Sequence, residues 1–263
     1  MHTDVVLGAG SGMGAAVAAR LSRGDRRLLL ADIDLGAAEA TAREVGGGAE
    51  AVRCDLTSVD DVTALAASIG ELGAFVMTAG LSPTMASGER IYEVDLVAPA
   101  RLLPILEPTL GSESVGVLFA SMAGHMVPPS AEIDPLLDEP LDPGFLAALR
   151  AAGLPPDDPT LAYAIAKRGL IRLTRRTSVA WAARGARLLS VSPGIIDTPM
   201  GRAELAEQSM MAGMIEATQL GRLITADEIA DVVAFLVGPA ARAITGTDVL
   251  VDSGGVAALI GPT

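Results

Sequence analysis

Disulfides, membrane spans and a basic face are all missing from this chain. Its one cysteine, Cys54, has no second thiol to pair with, so no internal disulfide holds the fold. No uncharged apolar run approaches the roughly 20 residues of a bilayer-spanning helix. The start, Met1-His2-Thr3-Asp4, lacks the basic and then apolar pattern of a secretion signal, and a soluble cytoplasmic protein is expected. Lys and Arg are scarce, 19 against 32 Asp and Glu, for a formal net charge of −13. That balance argues against nucleic acid or an anionic membrane surface as a partner. Small molecules and further copies of the same chain are the expected partners.

What is present is apolar. Half of the 263 residues are hydrophobic and 19% are charged, which suits one domain with a deep core. No domain boundary, internal repeat or low-complexity linker interrupts it. Residues 4–8 read as a short buried strand, and Gly8-Ala9-Gly10-Ser11-Gly12-Met13-Gly14 leads from it into an Ala-rich helix ending at Leu21. A glycine-rich turn between strand and helix lets backbone N–H groups approach a phosphate at the positive helix end. Glycines also serve plain tight turns, so the loop alone leaves both readings open. A second strand, 27–31, ends at Asp32, about 20 residues past the loop, where a ribose 2′-hydroxyl needs an acceptor. A carboxylate there repels a 2′-phosphate and Ser11 is not basic, a combination that favours NAD over NADP. The alternative for Asp32 is an ordinary helix N-cap.

The alternation continues with helices over 35–45, 59–69 and 227–237 and strands over 50–54, 74–78, 115–120, 186–191 and 249–251. Strands and helices at this spacing predict right-handed βαβ units and a parallel sheet covered on both faces. Ligands on such sheets bind at the carboxyl ends of the strands. The residues there are Asp55 and Leu56 after the third strand, Ala79 and Gly80 after the fourth, and Ser121 after the fifth. A helix over 91–106, kinked by Pro99 and Pro104, carries Asp95, whose place is either solvated or in the site.

In Leu161-Ala162-Tyr163-Ala164-Ile165-Ala166-Lys167, Tyr163 and Lys167 stand four apart on a helix reaching about Ala183, so an ammonium sits beside a phenol. A neighbouring cation favours the phenolate and brings it nearer a pH at which it exchanges protons. Tyr and Lys at this spacing also occur on ordinary helices. Between Ser121 and this helix lies an irregular insertion, about 125–160. It is rich in proline and in acids (Glu132, Asp134, Asp138, Glu139, Asp142, Asp157, Asp158), and among them Leu136, Leu137, Leu141, Phe145, Leu146 and Leu149 should pack against something. His125 is read as structural or solvated rather than catalytic. Downstream, about 197–220, Met200, Leu205, Met210, Met211, Met214, Ile215 and Leu220 make either a flexible lid over an apolar substrate or a core-facing helix.

Taken in order, Gly8, Gly12, Gly14, Asp32, Asp55-Leu56, Ala79-Gly80, Ser121, Tyr163 with Lys167, and Pro193-Gly194 before Thr198 resemble the short-chain dehydrogenase/reductase family over essentially the whole chain. The resemblance implies a single-domain Rossmann-type α/β fold, a doubly wound parallel sheet of about seven strands with the insertion before the Tyr163 helix. It implies Tyr163 as general acid/base, Lys167 as the residue that tunes it and holds the nicotinamide ribose, and Ser121 as hydrogen-bond partner of the substrate oxygen. Gly12, Met13 and Gly14 would border the pyrophosphate, with Gly8 and Ser11 in the same cofactor site, and Asp32 would take the adenosine ribose. Asp55 and Leu56 would border the adenine, Ala79, Gly80, Pro193 and Gly194 the cofactor groove, and Ile196 and Thr198 the carboxamide of NAD(H). No metal is implied.

Within the family, Ala79-Gly80-Leu81-Ser82-Pro83, the insertion and the tail Gly261-Pro262-Thr263 resemble the bacterial 3α-hydroxysteroid dehydrogenase/carbonyl reductase group. This narrower likeness implies a bulky apolar ketone or secondary alcohol as substrate and a dimer in which the insertion obstructs the family's usual tetramer contact; a homo-oligomer, dimer or tetramer, is expected. Three positions depart from the family pattern. Leu7 stands where Thr is usual, Thr78 where Asn braces the sheet, and Asp95 where an Asn completes the catalytic tetrad by holding a water behind the lysine. An aspartate accepts hydrogen bonds but brings no amide donor, so an alternative reading is a dinucleotide-binding protein with impaired catalysis.

Overall fold

A computed structural model describes residues 2–22, 26–207 and 210–261. The chain runs β1 (His2–Leu7), α1 (Gly12–Leu21), β2 (Arg27–Asp32), α2 (Leu35–Val45), β3 (Glu50–Arg53), α3 (Val59–Ser68), β4 (Glu71–Met77), α4 (Gly88–Tyr92), α5 (Ala98–Leu106) and β5 (Leu110–Phe119). It continues through α6 (Met122–His125), α7 (Ile133–Asp138), α8 (Phe145–Ala151), α9 (Pro159–Ala182), β6 (Arg187–Pro193), β7 (Ile196–Asp197) and α10 (Pro199–Glu207). It closes with α11 (Met210–Ala217), β8 (Ile224–Thr225), α12 (Ala226–Val237), β9 (Asp248–Val251) and α13 (Gly255–Ile260).

Seven strands form one parallel sheet in the order β3-β2-β1-β4-β5-β6-β9. The expected doubly wound α/β sheet is therefore present. The chain winds outward from β1 in one direction and from β4 in the other, and this reversal opens a crevice at the carboxyl ends of those two strands. Burial on both faces explains why the central strands read as unbroken apolar runs. Val17 and Leu21 of α1 and Ile229, Val233 and Leu236 of α12 cover one face. Val62 and Leu65 of α3, Leu102 of α5 and Leu170 and Trp181 of α9 cover the other. Each fully buried Leu or Ile of this kind contributes roughly 1.5–3 kcal/mol.

Some strands, β1 and β5 among them, begin earlier than apolar runs alone predict. β1 starts at His2 because buried Asp4 is satisfied there: its Oδ1 accepts from Ala74 N at 2.6 Å and from Arg26 Nη1 at 3.2 Å. The β1–β4 register shifts at that point, between Thr3 and Val5. β5 starts at Leu110, five residues before the apolar stretch.

The helix expected over 91–106 is broken in a different way from that expected of prolines alone. Residues Glu93–Val97 form a π-helical turn between α4 and α5, and Pro99 falls in the first turn of α5, where its missing N–H costs little. Turns of this wider kind gather at functional sites, and Asp95 lies at the centre of this one. Only Pro104 stands inside the helix.

The insertion packs on α9. Arg168, Arg172 and Arg176, four apart on one face, meet Asp134 and Asp138, also four apart on α7. Arg168 holds Asp134 through two bonds of 2.8 and 2.7 Å, and Arg172 holds Asp138 at 2.9 and 2.7 Å while reaching Asp134 at 3.0 Å. Arg176 adds a contact to Asp138 at 3.2 Å. Beneath this ladder Leu137, Phe145 and Leu149 are buried with Ile91, Tyr92 and Ile165, whereas Leu141, expected to pack, is half exposed. The ladder and its core anchor the first half of α9, the part that carries Tyr163 and Lys167.

The apolar tail forms α13, and the Met-rich segment forms α10 and α11, with residues 208 and 209 outside the described residues. Pro262 and Thr263 likewise lie outside them. Among the described residues no helix is long and apolar enough to cross a membrane.

Candidate active site

At the reversal point Gly8 takes φ +94°, and a Cβ there would meet Ala79 N at 2.4 Å, so only glycine fits where β1 hands over to the turn. Thr78 braces the same corner. Its Oγ1 lies 3.2 Å from Leu7 O and 3.0 Å from Gly8 O, so threonine supports the turn at the place where the family pattern has asparagine. Ser11 occupies the N-cap of α1 but its side chain makes no capping bond. Gly12, Met13 and Gly14 line a cleft of about 340 Å³ with Gly8, Ser11, Asp32, Asp55, Leu56, Ala79, Gly80 and Thr198. A helix N-terminus with uncapped amides facing a cleft suits a phosphate, so the residues present fit a dinucleotide.

Asp32 is not the helix cap. That place belongs to Asp34, which accepts from Ala37 N at 3.1 Å. The Asp32 carboxylate accepts from Gly10 N at 2.8 Å and from Asp34 N at 3.0 Å, which ties the loop to β2. Each of its oxygens keeps lone-pair capacity for a ribose hydroxyl. Asp55 Oδ1 accepts from Thr57 N at 2.9 Å and Thr57 Oγ1 at 2.7 Å, so this acid closes a local turn at the cleft wall. Cys54, Ile33, Met85, Arg90 and Met200 also line the cleft. No local pattern marks Met85 or Arg90, whereas Met200 belongs to the Met-rich segment.

Pro159 opens α9 behind its N-cap Asp158, whose Oδ1 accepts from Thr160 N and Leu161 N at 3.0 and 3.1 Å. One turn on, the Tyr163 phenol lines a cleft together with the Ser121 hydroxyl, which lies near enough to favour its ionised form. Ser121 lies at the end of β5 and caps α6 through Ala123 N at 3.2 Å. Lys167, 5% exposed, points behind the cleft wall. Its Nζ donates to Phe119 O at 3.1 Å and lies 5.5 Å from the Tyr163 ring centroid.

Asp95, with no exposed surface, faces Lys167 directly. Its Oδ2 lies 3.1 Å from Nζ, at an angle that falls short of a directed hydrogen bond, while Oδ1 accepts from Leu81 N at 2.9 Å. Gly80 roofs the pair, since a Cβ there would lie 3.2 Å from Nζ and 3.3 Å from Asp95 Oδ1. Of the two places open to Asp95, solvent or site, the structure gives the second.

Lys167 does pull the phenol down, as expected, but burial outweighs it. Burial pushes Tyr163 up; Lys167 and Ser121 pull it back, but the charges of Asp95 and Glu204 add to the rise and the net direction is upward. Burial lowers Lys167, yet Asp95, Tyr163 and Glu204 outweigh it and hold the ammonium charged. Burial also pushes the Asp95 carboxyl up, with Lys167 and the Leu81 amide offsetting part of the rise. The lysine's charge is thus shared between a phenol and a carboxylate.

A second cleft, about 330 Å³, is lined by Ser121, Tyr163, Pro193, Gly194, Ile196, Met211, Met214 and Glu204, and it shares Met13, Thr198 and Met200 with the first. Thr198 Oγ1 accepts from Gly201 N at 3.1 Å, and β7 pairs with β8 to hold this segment over the sheet. Met200, Met211 and Met214 therefore line a cleft, as the lid reading has them. Sequence reasoning missed Glu204, a lone acid one turn into α10 without local signature. His125 is tied to Asp248 by Nε2 at 2.7 Å and lines neither of the two clefts.

An uncapped helix end at a sheet reversal opens into one cleft and two hydroxyls line a second that adjoins it, and known proteins show the class to which this arrangement belongs. Residues 3–131 match the short chain dehydrogenase family model and residues 147–255 the enoyl-(acyl carrier protein) reductase model. The short-chain dehydrogenase/reductase bsc3 of Alternaria brassicicola is 32% identical, covering 98% of this chain and 96% of its own. The cis-4-hydroxycyclohexanecarboxylate dehydrogenase of Sinomonas cyclohexanicum is 31% identical, covering 95% and 94%. Among solved structures, a short-chain dehydrogenase/reductase of glucose/ribitol dehydrogenase type from Brucella melitensis superposes with a TM-score of 0.77 at 27% identity over 97% of this chain and 96% of that one.

The chain belongs to the short-chain dehydrogenase/reductase family. It is an oxidoreductase acting between CH–OH and C=O groups with a nicotinamide dinucleotide.

Proposed function

We propose that the whole chain acts as one unit that interconverts a bulky, largely apolar secondary alcohol and its ketone using NAD(H). The observation that carries this reading is the convergence of Ser121 and Tyr163 in an apolar cleft that shares Met13, Thr198 and Met200 with the glycine-loop cleft. The dinucleotide, when bound, supplies the hydride acceptor for oxidation and the donor for reduction. Ser121 and Tyr163 bond the substrate oxygen, and the Tyr163 hydroxyl gives or takes the proton there. Lys167 keeps a positive charge behind the phenol.

Asp32 supports NAD over NADP, because its carboxylate stands in the first cleft where a 2′-phosphate would meet like charge. Arg90 is a cation in the same cleft and favours the opposite choice. Replacing Asp32 with Ala decides between them. The ratio of kcat/KM with NAD to that with NADP is expected to fall at least about tenfold once the like charge is gone, and an unchanged ratio would remove Asp32 from the ribose site.

The cleft volume and its methionines suit a ring system. A panel of a 3α-hydroxysteroid, substituted cyclohexanols and a 3-hydroxyacyl chain, read at the nicotinamide absorbance band, selects the substrate class. The steroid is expected to turn over if the 3α-hydroxysteroid/carbonyl reductase likeness extends to function. A second reading, a dinucleotide-binding sensor with impaired catalysis, is favoured by the Asp95–Lys167 pair, and dinucleotide binding without turnover across the panel would establish it.

We also propose a homo-oligomer in the cytoplasm. Phe235 of α12, Leu250 of β9 and Leu259 and Ile260 of α13 leave apolar surface exposed, which a second copy of the chain could cover. The single buried cysteine needs no oxidising compartment.

A further inference from the structure

We propose that Glu204 is the specificity-determining acceptor of the second cleft, and that the substrate carries a hydrogen-bond donor, a second hydroxyl or an ammonium, elsewhere on its apolar frame. This deepens the oxidoreductase reading and rests on it. Glu204 lines the cleft beside Pro83, Tyr163, Met211 and Met214 and is half-buried. The hydroxyl of Ser82 lies near enough to favour the ionised carboxylate, and is itself fully buried and 3.1 Å from Thr84 Oγ1. Ser82 belongs to the segment whose Leu81 amide holds Asp95 and whose Pro83 lines the cleft with Glu204, so one stretch of chain runs beside both the acid behind the catalytic lysine and the acid in the substrate cleft.

The chemistry follows from what filling the cleft would do. A purely apolar molecule would strip water from the Glu204 carboxylate and leave its remaining lone pairs unmatched, which is costly. A substrate donor takes the place of that water. A carboxylate or sulfonate on the substrate would instead meet like charge at close range, an arrangement that rejects such molecules. Burial already pushes the Glu204 carboxyl up, with Ser82 and Lys167 offsetting part of the rise, so the site gains from any donor that stabilises the ionised form.

The test uses four secondary alcohols on one ring: cyclohexanol, 1,4-cyclohexanediol, 4-aminocyclohexanol and 4-hydroxycyclohexanecarboxylate, oxidised at neutral pH by the intact protein and by Glu204→Gln and Glu204→Asp. The unaltered protein is expected to rank the aminoalcohol and the diol above the carboxylate in kcat/KM. In Glu204→Gln the ratio of aminoalcohol to carboxylate is expected to collapse by about tenfold or more, the size of a charge-assisted hydrogen bond, chiefly through KM. Glu204→Asp, which keeps the charge, should retain the ranking. A merely structural role would change all four substrates together, and ratios unaltered in Glu204→Gln, or a wild-type preference for the carboxylate, would overturn the proposal while leaving the oxidoreductase reading intact. Binding of dinucleotide with turnover of no alcohol in this set or in the wider panel would overturn both.

Discussion

In Tyr163→Phe, kcat/KM for every accepted alcohol is expected to fall by about 10²–10⁴-fold, the usual range for loss of a positioned acid or base. Dinucleotide affinity should change little, because Tyr163 lines the second cleft and not the first. The expected pattern arises from geometry. The phenol is the one titratable hydroxyl in the cleft that has both a second hydroxyl, Ser121, as neighbour and an ammonium behind it. The ring contacts remain in the variant and only the exchangeable proton is lost. Titration of dinucleotide by fluorescence alongside steady-state kinetics separates the two effects, and normal oxidation by the variant would require another residue to carry the proton.

Lys167→Met is expected to be the most destabilising change in the site, by about 3–5 kcal/mol, because it leaves the buried Asp95 carboxylate without its cation. In a chain of this size that corresponds to a fall of roughly 10 °C in the unfolding midpoint. Methionine fills a similar volume, so packing contributes little of the loss. The charge origin is checked by adding Asp95→Asn to the same variant. The double variant should recover much of the stability, since an amide can accept from Leu81 N as the carboxylate does without carrying a charge. Calorimetry showing the two changes to be additive would mean that the ion pair is not what holds this region.

The sheet was legible because both its faces are buried, so each central strand appears as a continuous apolar run between turn residues. The Gly8–Gly14 loop, Asp32 and the Tyr163–Lys167 spacing were legible for a local reason as well, each being a short pattern whose geometry one element decides. The π-turn was not, and Asp95 at its centre makes its contacts with Leu81 and Lys167, which come from other parts of the chain. Charges four apart at Arg168, Arg172 and Arg176 are visible in the sequence, but their partners on α7 are known only once the insertion is folded back. Glu204 had no signal at all, since a single acid in a Met-rich segment looks like a solvated helix face. The net upward direction of the Tyr163 shift has the same origin: Lys167 was in view beside the phenol, but the burial that outweighs it, and the smaller additions of Asp95 and Glu204, depend on the folded chain.

The pH dependence of kcat/KM for alcohol oxidation, compared between the unaltered protein and Asp95→Asn, is the most direct test of the claim that Tyr163 is the proton-transfer group and that Asp95 draws off the charge of Lys167. Oxidation needs the phenolate, so the rate rises with pH through the Tyr163 ionisation. The Asp95 charge raises that ionisation, and removing it should move the rising limb to lower pH, with oxidation near neutral pH increased. A limb that stays in place, or one that moves to higher pH, would contradict the account.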